Sequence, residues 1–167
     1  MKTYLQIICI ASLAALAPLP CGAGDNLPPA LPPQALAAMR SAAHDAAINC
    51  GHFYDHARGL QVRNPEMGQS LAAILRLRDA AMKYQDAIYW NDEPRLDWLR
   101  ICSETLLDAW VNVELSFPQL EPTPPVVGWW DRSQLSLVDL YHASSPYIGL
   151  PITPLPSALG VRVTKTR

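Results

Sequence analysis

Apolar residues recur every three or four positions through most of residues 35 to 117, the spacing of helices that each bury one side. Three stretches carry this pattern. In the first, about 35 to 58, Leu36, Met39, Ala43, Ala46, Cys50, Tyr54 and Ala57 share a face, and Gly59 ends the run. The second, about 66 to 90, places Leu71, Ile74, Leu75, Ala81, Met82, Ile88 and Tyr89 on one side. The third, about 94 to 117, repeats Leu99, Cys102, Leu106, Trp110, Val113 and Phe117 before Pro118 stops it. Pro65 and Pro94 fall where the later helices should begin, because first-turn N–H groups have no helical partner to lose. Asp92 is placed to cap the third helix. The second and third helices are joined so closely that they must be antiparallel neighbours.

Proline marks the remainder. GDNLPPALPPQ, 24 to 34, predicts an extended arm. PQLEPTPPVVGWW reads as extended and apolar, and DRSQLSLVDLYH, 131 to 142, as a short helix capped by Asp131 or Ser133. SSPYIGLPITPLPSALGVRVTKTR is proline-rich again and closes on a strand-like basic tip. The predicted fold class is therefore mainly α: a three-helix up-down bundle over 35–117 plus a short fourth helix inside a proline-rich tail, 118–167. No internal repeat is present.

Residues 1–23 read as a secretory leader: Lys2, then an uncharged run from Leu5 to Ala17 too short to span a membrane, then small residues ending at Ala23. Acylation at Cys21 is the rival reading, and Pro-Leu-Pro ahead of it fits poorly. A periplasmic or secreted location follows. Loss of the leader leaves Cys50 and Cys102, both inside apolar stripes, in a compartment that favours disulfides. A Cys50–Cys102 bond would staple the first helix to the third, worth roughly 4 kcal/mol by loop closure. Level helices would hold the two about eight residues, or roughly 12 Å, out of step. The first helix would then have to slide, or break near Gly51. A net charge of −2 without a basic stretch argues against nucleic acid or a membrane surface as partner.

HDAAINCGHFYDH, 44 to 56, holds three of the four histidines. On a helix they lie opposite the core. His52 and His56, one turn apart, could share a divalent transition metal with Asp55 as third ligand or orienting acceptor. His44 is too far along the axis to join them. The competing and preferred reading is a solvated polar face with no cofactor. Arg78 and Gln85, seven apart, intrude on the apolar side of the second helix. They could hold a small anion between helices, or Arg78 could reach water or pair with Glu114. Setting cations between helices resembles exported all-helical chorismate mutases. The chain departs from them where their lysine–tryptophan pair would fall, at Tyr89-Trp90. Trp129, Trp130 and Tyr147 sit in the apolar tail, where they could anchor a partner or wrap their own bundle.

No phosphate loop, nucleophile motif or Cys-x-x-Cys occurs. The expected function is a non-enzymatic interaction protein of the cell envelope: an adaptor, an inhibitor or an assembly subunit, partnered by an envelope or secreted protein. A small-ligand or metal-binding bundle is the alternative, and an enzyme acting on a small anion a third.

Overall fold

The computed structural model describes residues 31–150, and these form four helices in an up-down-up-down order. They are α1 (Pro33–Ala57), α2 (Pro65–Tyr89), α3 (Leu96–Ser116) and α4 (Pro124–Ile148), with one 3-10 turn at Phe117–Leu120. The leader, most of the proline-rich arm and the basic tip fall outside the described residues. None of the described helices is long and apolar enough to cross a membrane.

Each helix starts where local chemistry lets it. Pro33 and Pro65 begin α1 and α2, and the Asn64 side chain accepts the Met67 N–H at 2.8 Å as an N-cap. Asp92 does not cap α3. It lies 3.6 Å from Arg40, while Arg95 occupies the cap position and its guanidinium pairs with Asp97.

The fourth helix departs most from expectation. It begins at Pro124 rather than near Asp131 and extends through Pro146 to Ile148. The Pro124-Pro125 pair, which suggested extended chain, occupies the first turn, where two absent N–H groups cost no helical bond. Pro146 lies in the last turn, and Gly149 then closes the helix in the left-handed region at φ 67°. Val126, Trp130, Ser133, Leu137, Leu140, Tyr141, Ser144 and Ile148 give α4 a buried face at helical spacing. The molecule is thus a four-helix bundle, not three helices with a tail.

The helices stand in cyclic order, each beside its sequence neighbours, and α4 closes the ring on α1. No Cα of α1 lies within 8 Å of one in α3, so these two are diagonal. The α1–α4 contact is the most extensive, and small side chains permit it: Ala43, Ala46 and Ala47 on α1, Ser133 and Ser136 on α4. Each of those serines donates to a carbonyl of its own helix: to Trp129 at 2.8 Å and to Ser133 at 3.0 Å. Burial therefore leaves no hydroxyl orphaned there. Larger rings fill the end where α1 finishes. Phe53 lies 5.2 Å from Trp130 and 6.0 Å from Phe117, and Phe117 stacks on Trp130 at 5.5 Å.

The α1 and α3 stripes are buried as their spacing predicts, apart from half-buried Leu36, Tyr54 and Phe117. The α2 stripe is rotated. Leu77 and Tyr84 are fully buried, whereas Met82 and Tyr89 are exposed. Measured by urea unfolding, Leu77→Ala is expected to cost about 2–5 kcal/mol, and Met82→Ala no more than about 0.5 kcal/mol.

The Cys50–Cys102 disulfide is not made. Both are free, buried thiols, on the two diagonal helices. Their heights also differ. His44 meets Gln85 and Tyr54 meets Arg78 across the α1–α2 seam, which sets Cys50 level with Ala80. Cys102 lies beside Lys83 and Tyr84, three to four residues further along α2 than Ala80, so it sits roughly 5–6 Å lower. The break at Gly51 does not occur, since α1 is continuous through Gly51. Burial pushes the Cys50 thiol up to about 12 against a small opposing pull from Ser133, and burial likewise raises Cys102. Both should be unreactive when folded. In alkylation followed by peptide mass mapping, the native chain should leave Cys50 and Cys102 unmodified. Denaturation without reductant should label both, which a disulfide would prevent.

Candidate functional site

The polar side of α1 is exposed as its pattern predicts, but α4 alters its chemistry. Trp129 lies over the histidine pair, its ring centroid 4.5 Å from that of His52 and 5.5 Å from His56. Arg132 covers the same indole at 4.6 Å. The structure thus joins the candidate metal ligands to one of the candidate partner anchors. The His56 Nδ1 lies 2.8 Å from the His52 carbonyl, and the Asp55 carboxylate pairs with Arg58 at 3.1 Å. Among the described residues, no three His, Cys, Asp or Glu side chains are grouped to hold a metal ion.

Arg78 and Gln85 line the α1–α2 seam rather than a pocket. The Arg78 guanidinium lies 4.5 Å from the Tyr54 ring and donates to the adjacent Asp79 at 2.6 Å, not to Glu114. Gln85 Nε2 meets His44 Nδ1 at 2.9 Å. Each head is thereby occupied, and the two hold helices together.

The tail anchors turn inward. Trp130 is buried, and Tyr147 and Trp129 are half-buried against the core. Their apolar surface mostly covers the molecule's own bundle.

At the α3–α4 seam, Tyr84, Ser103, Leu106, Trp110, Leu140 and Ser144 surround a cavity of about 20 Å³. Tyr84 Oη, Ser103 Oγ and Trp110 Nε1 are buried there without a hydrogen bond of good geometry. That volume accommodates one water molecule. Burial raises the Tyr84 hydroxyl pKa, while the nearby Ser144 and Ser103 hydroxyls lower it part-way. Beside this seam, burial also raises the Glu114 carboxyl. The Trp110 indole and the Gln134 amide, the latter at 3.5 Å, hold it back in part.

The outward side of α2 and α3 is the least satisfied surface. Trp90, at the foot of α2, is 78 % exposed and meets Tyr89 edge-on at 5.3 Å. Trp98 and Ile101 project beside them from α3, and Lys83 lies 5.2 Å from the Trp98 ring. Higher on α3, Leu115 is 73 % exposed. Two open depressions of about 440 and 360 Å³ run along the α2–α3 seam and share Arg76 and Asn112. Ala72 and Ala73 line the first, and Ala80 and Ala109 the second.

No known family, curated protein or solved structure matches this chain.

The pattern on α2 already held part of the surface. Met82 and Tyr89 share a helical side, and once Leu77 and Tyr84 take the core that side faces out. Trp90 stands in a polar turn, WNDEP, where nothing local can cover an indole. The α3–α4 cavity had no such signal, because Tyr84, Ser103 and Trp110 are distant in sequence.

Glu114 gives a pH test. Its folded pKa lies above the unfolded value, so folding favours the protonated form, and that contribution disappears as pH rises through the folded pKa. Glu114→Gln, neutral throughout, should match the wild-type thermal midpoint in acid and slightly exceed it at neutral pH. A lower midpoint at neutral pH would show that the carboxylate itself stabilises the fold.

Proposed function

We propose that this is an exported, non-enzymatic interaction protein of the periplasm or the secreted space, acting as an adaptor, an inhibitor or an assembly subunit. The observation that carries the reading is the group of large apolar side chains held open at the α2–α3 end: Tyr89, Trp90, Trp98 and Ile101. Water-exposed aromatic clusters on a well-packed domain are typical of contact surfaces, and tryptophan and tyrosine are the commonest anchors of such contacts. They stand on helices whose other sides are buried in the core.

The small-ligand alternative draws on the α3–α4 cavity and the Tyr84, Ser103 and Trp110 polar atoms buried around it. A cavity of about 20 Å³ takes a water molecule and nothing larger. The divalent-metal alternative has two imidazoles and a carboxylate already committed to Arg58.

Native mass spectrometry of the protein purified from its own host tests the reading. An associated protein, whether another envelope protein or a second copy of the chain, is expected, absent from a Trp90→Ser, Trp98→Ser double variant whose helical circular dichroism is unchanged. A protein that carries no partner, or a partner retained by that variant, would overturn it.

A further inference from the structure

The outward side of α2 carries four charges in alternating sign: Arg76, Asp79, Lys83 and Asp86. Their spacing of three, four and three places them on one helical side. All four are exposed. Arg76 and Asp86 form no ion pair among the described residues, Asp79 is held only by the neighbouring Arg78, and Lys83 lies against Trp98.

This order has a property that a mixed-charge stripe need not have. Read against itself in reverse, plus meets minus at every position. Reversal about Ala81 sets Arg76 opposite Asp86 and Asp79 opposite Lys83 (76 + 86 and 79 + 83 both equal 162). The same reversal sets Trp90 opposite Ala72 (90 + 72 = 162), one of the small residues lining the 440 Å³ depression. Leu115 and Arg76 border that depression, so an indole entering it would find an aliphatic and a cationic neighbour. On α3, Trp98 stands near the level of Trp90 and Leu115 near the level of Ala73, so reversal also brings Trp98 to Leu115.

We propose that the outer side of α2, flanked by α3, docks a second copy of this chain antiparallel to itself about a two-fold axis near Ala81. This rests on the reading of the protein as an interaction module and names the partner of that surface. Arg76 of each copy would pair with Asp86 of the other, and Asp79 with Lys83, each pair being made twice by symmetry. Trp90 of each copy would enter the depression beside Ala72 of the other. Self-complementary charge selects this arrangement: a parallel alignment in register would set like charges together at all four positions. The contacts now made by Asp79 and Lys83 within one chain are exposed and exchange at little cost.

Sedimentation equilibrium on the full chain tests it. The wild type should be a dimer in the micromolar range. Arg76→Glu turns both Arg76–Asp86 pairs repulsive and should raise the dissociation constant roughly tenfold. Adding Asp86→Lys to Arg76→Glu restores opposite signs and should return the constant to near the wild-type value. Trp90→Ala should abolish dimerisation with helical content unchanged. A wild type that stays monomeric at millimolar concentration, or an Arg76→Glu defect that Asp86→Lys does not rescue, would overturn the proposal. Sedimentation reads self-association alone. A monomer that still carried a Trp90-dependent envelope protein would remove the second copy and leave the interaction reading standing.

Discussion

Side-chain size between α1 and α4 governs the rest of this bundle. Alanines at 43, 46 and 47 and serines at 133 and 136 let the two backbones run side by side in the most extensive helix contact of the bundle. Alanine gives up little side-chain entropy when buried, and the buried serines return their hydrogen bonds to their own helix. With α4 locked against α1, the ring of helices closes. Phe53, Phe117 and Trp130 fill the space where α1 ends, and Met39, Leu99 and Ile148 are fully shielded. Without α4, the α1 side that meets it would face water.

Closure by α4 also explains why the thiols can remain separate. Cys50 lies against Ser133 on α4, and Cys102 faces α2 near Lys83 and Tyr84. Each is buried in its own seam, and neither is available to the other. Cohesion here comes from apolar burial across four seams, one of which, α3–α4, packs around larger side chains and retains a small polar cavity. In an oxidising compartment such shielding has a chemical consequence: burial keeps both thiols protonated and out of exchange.

Helix α2 is the element with two identities. One side, Leu77, Tyr84 and Ile88, is core, while Met82 and Tyr89 stand in solvent beside a charge stripe that complements its own reverse. An ordinary surface helix has one apolar stripe and one polar side. A second apolar edge on a helix already fixed in a bundle points to a contact outside the bundle, and the aromatic end it shares with α3 is the most exposed apolar region described. His52, His56 and Arg78, which carry more obvious chemistry, are used within the molecule: the two imidazoles lie against Trp129, and the guanidinium binds helices across a seam.

Periodicity by itself determined the helical class, the three helices between residues 33 and 116 to within a few residues, and which sides of α1 and α3 are buried, because those stripes are regular and uninterrupted. It also determined that the α1 histidines face outward. It under-read α4, since proline looks like a stop until its place in the turn is known, and first-turn and last-turn prolines cost few helical bonds. It misplaced the α2 stripe because that helix has two apolar edges, and only the positions of α1 and α3 decide which one is core. The spacing of Cys50 and Cys102 inside two apolar stripes suggests a pair. Tertiary order placed their helices on a diagonal, where no cysteine geometry can join them. Spacing along a chain reports which residues share a helical side. Which side meets which neighbour depends on how four helices divide the available apolar surface, and that is settled only when they pack.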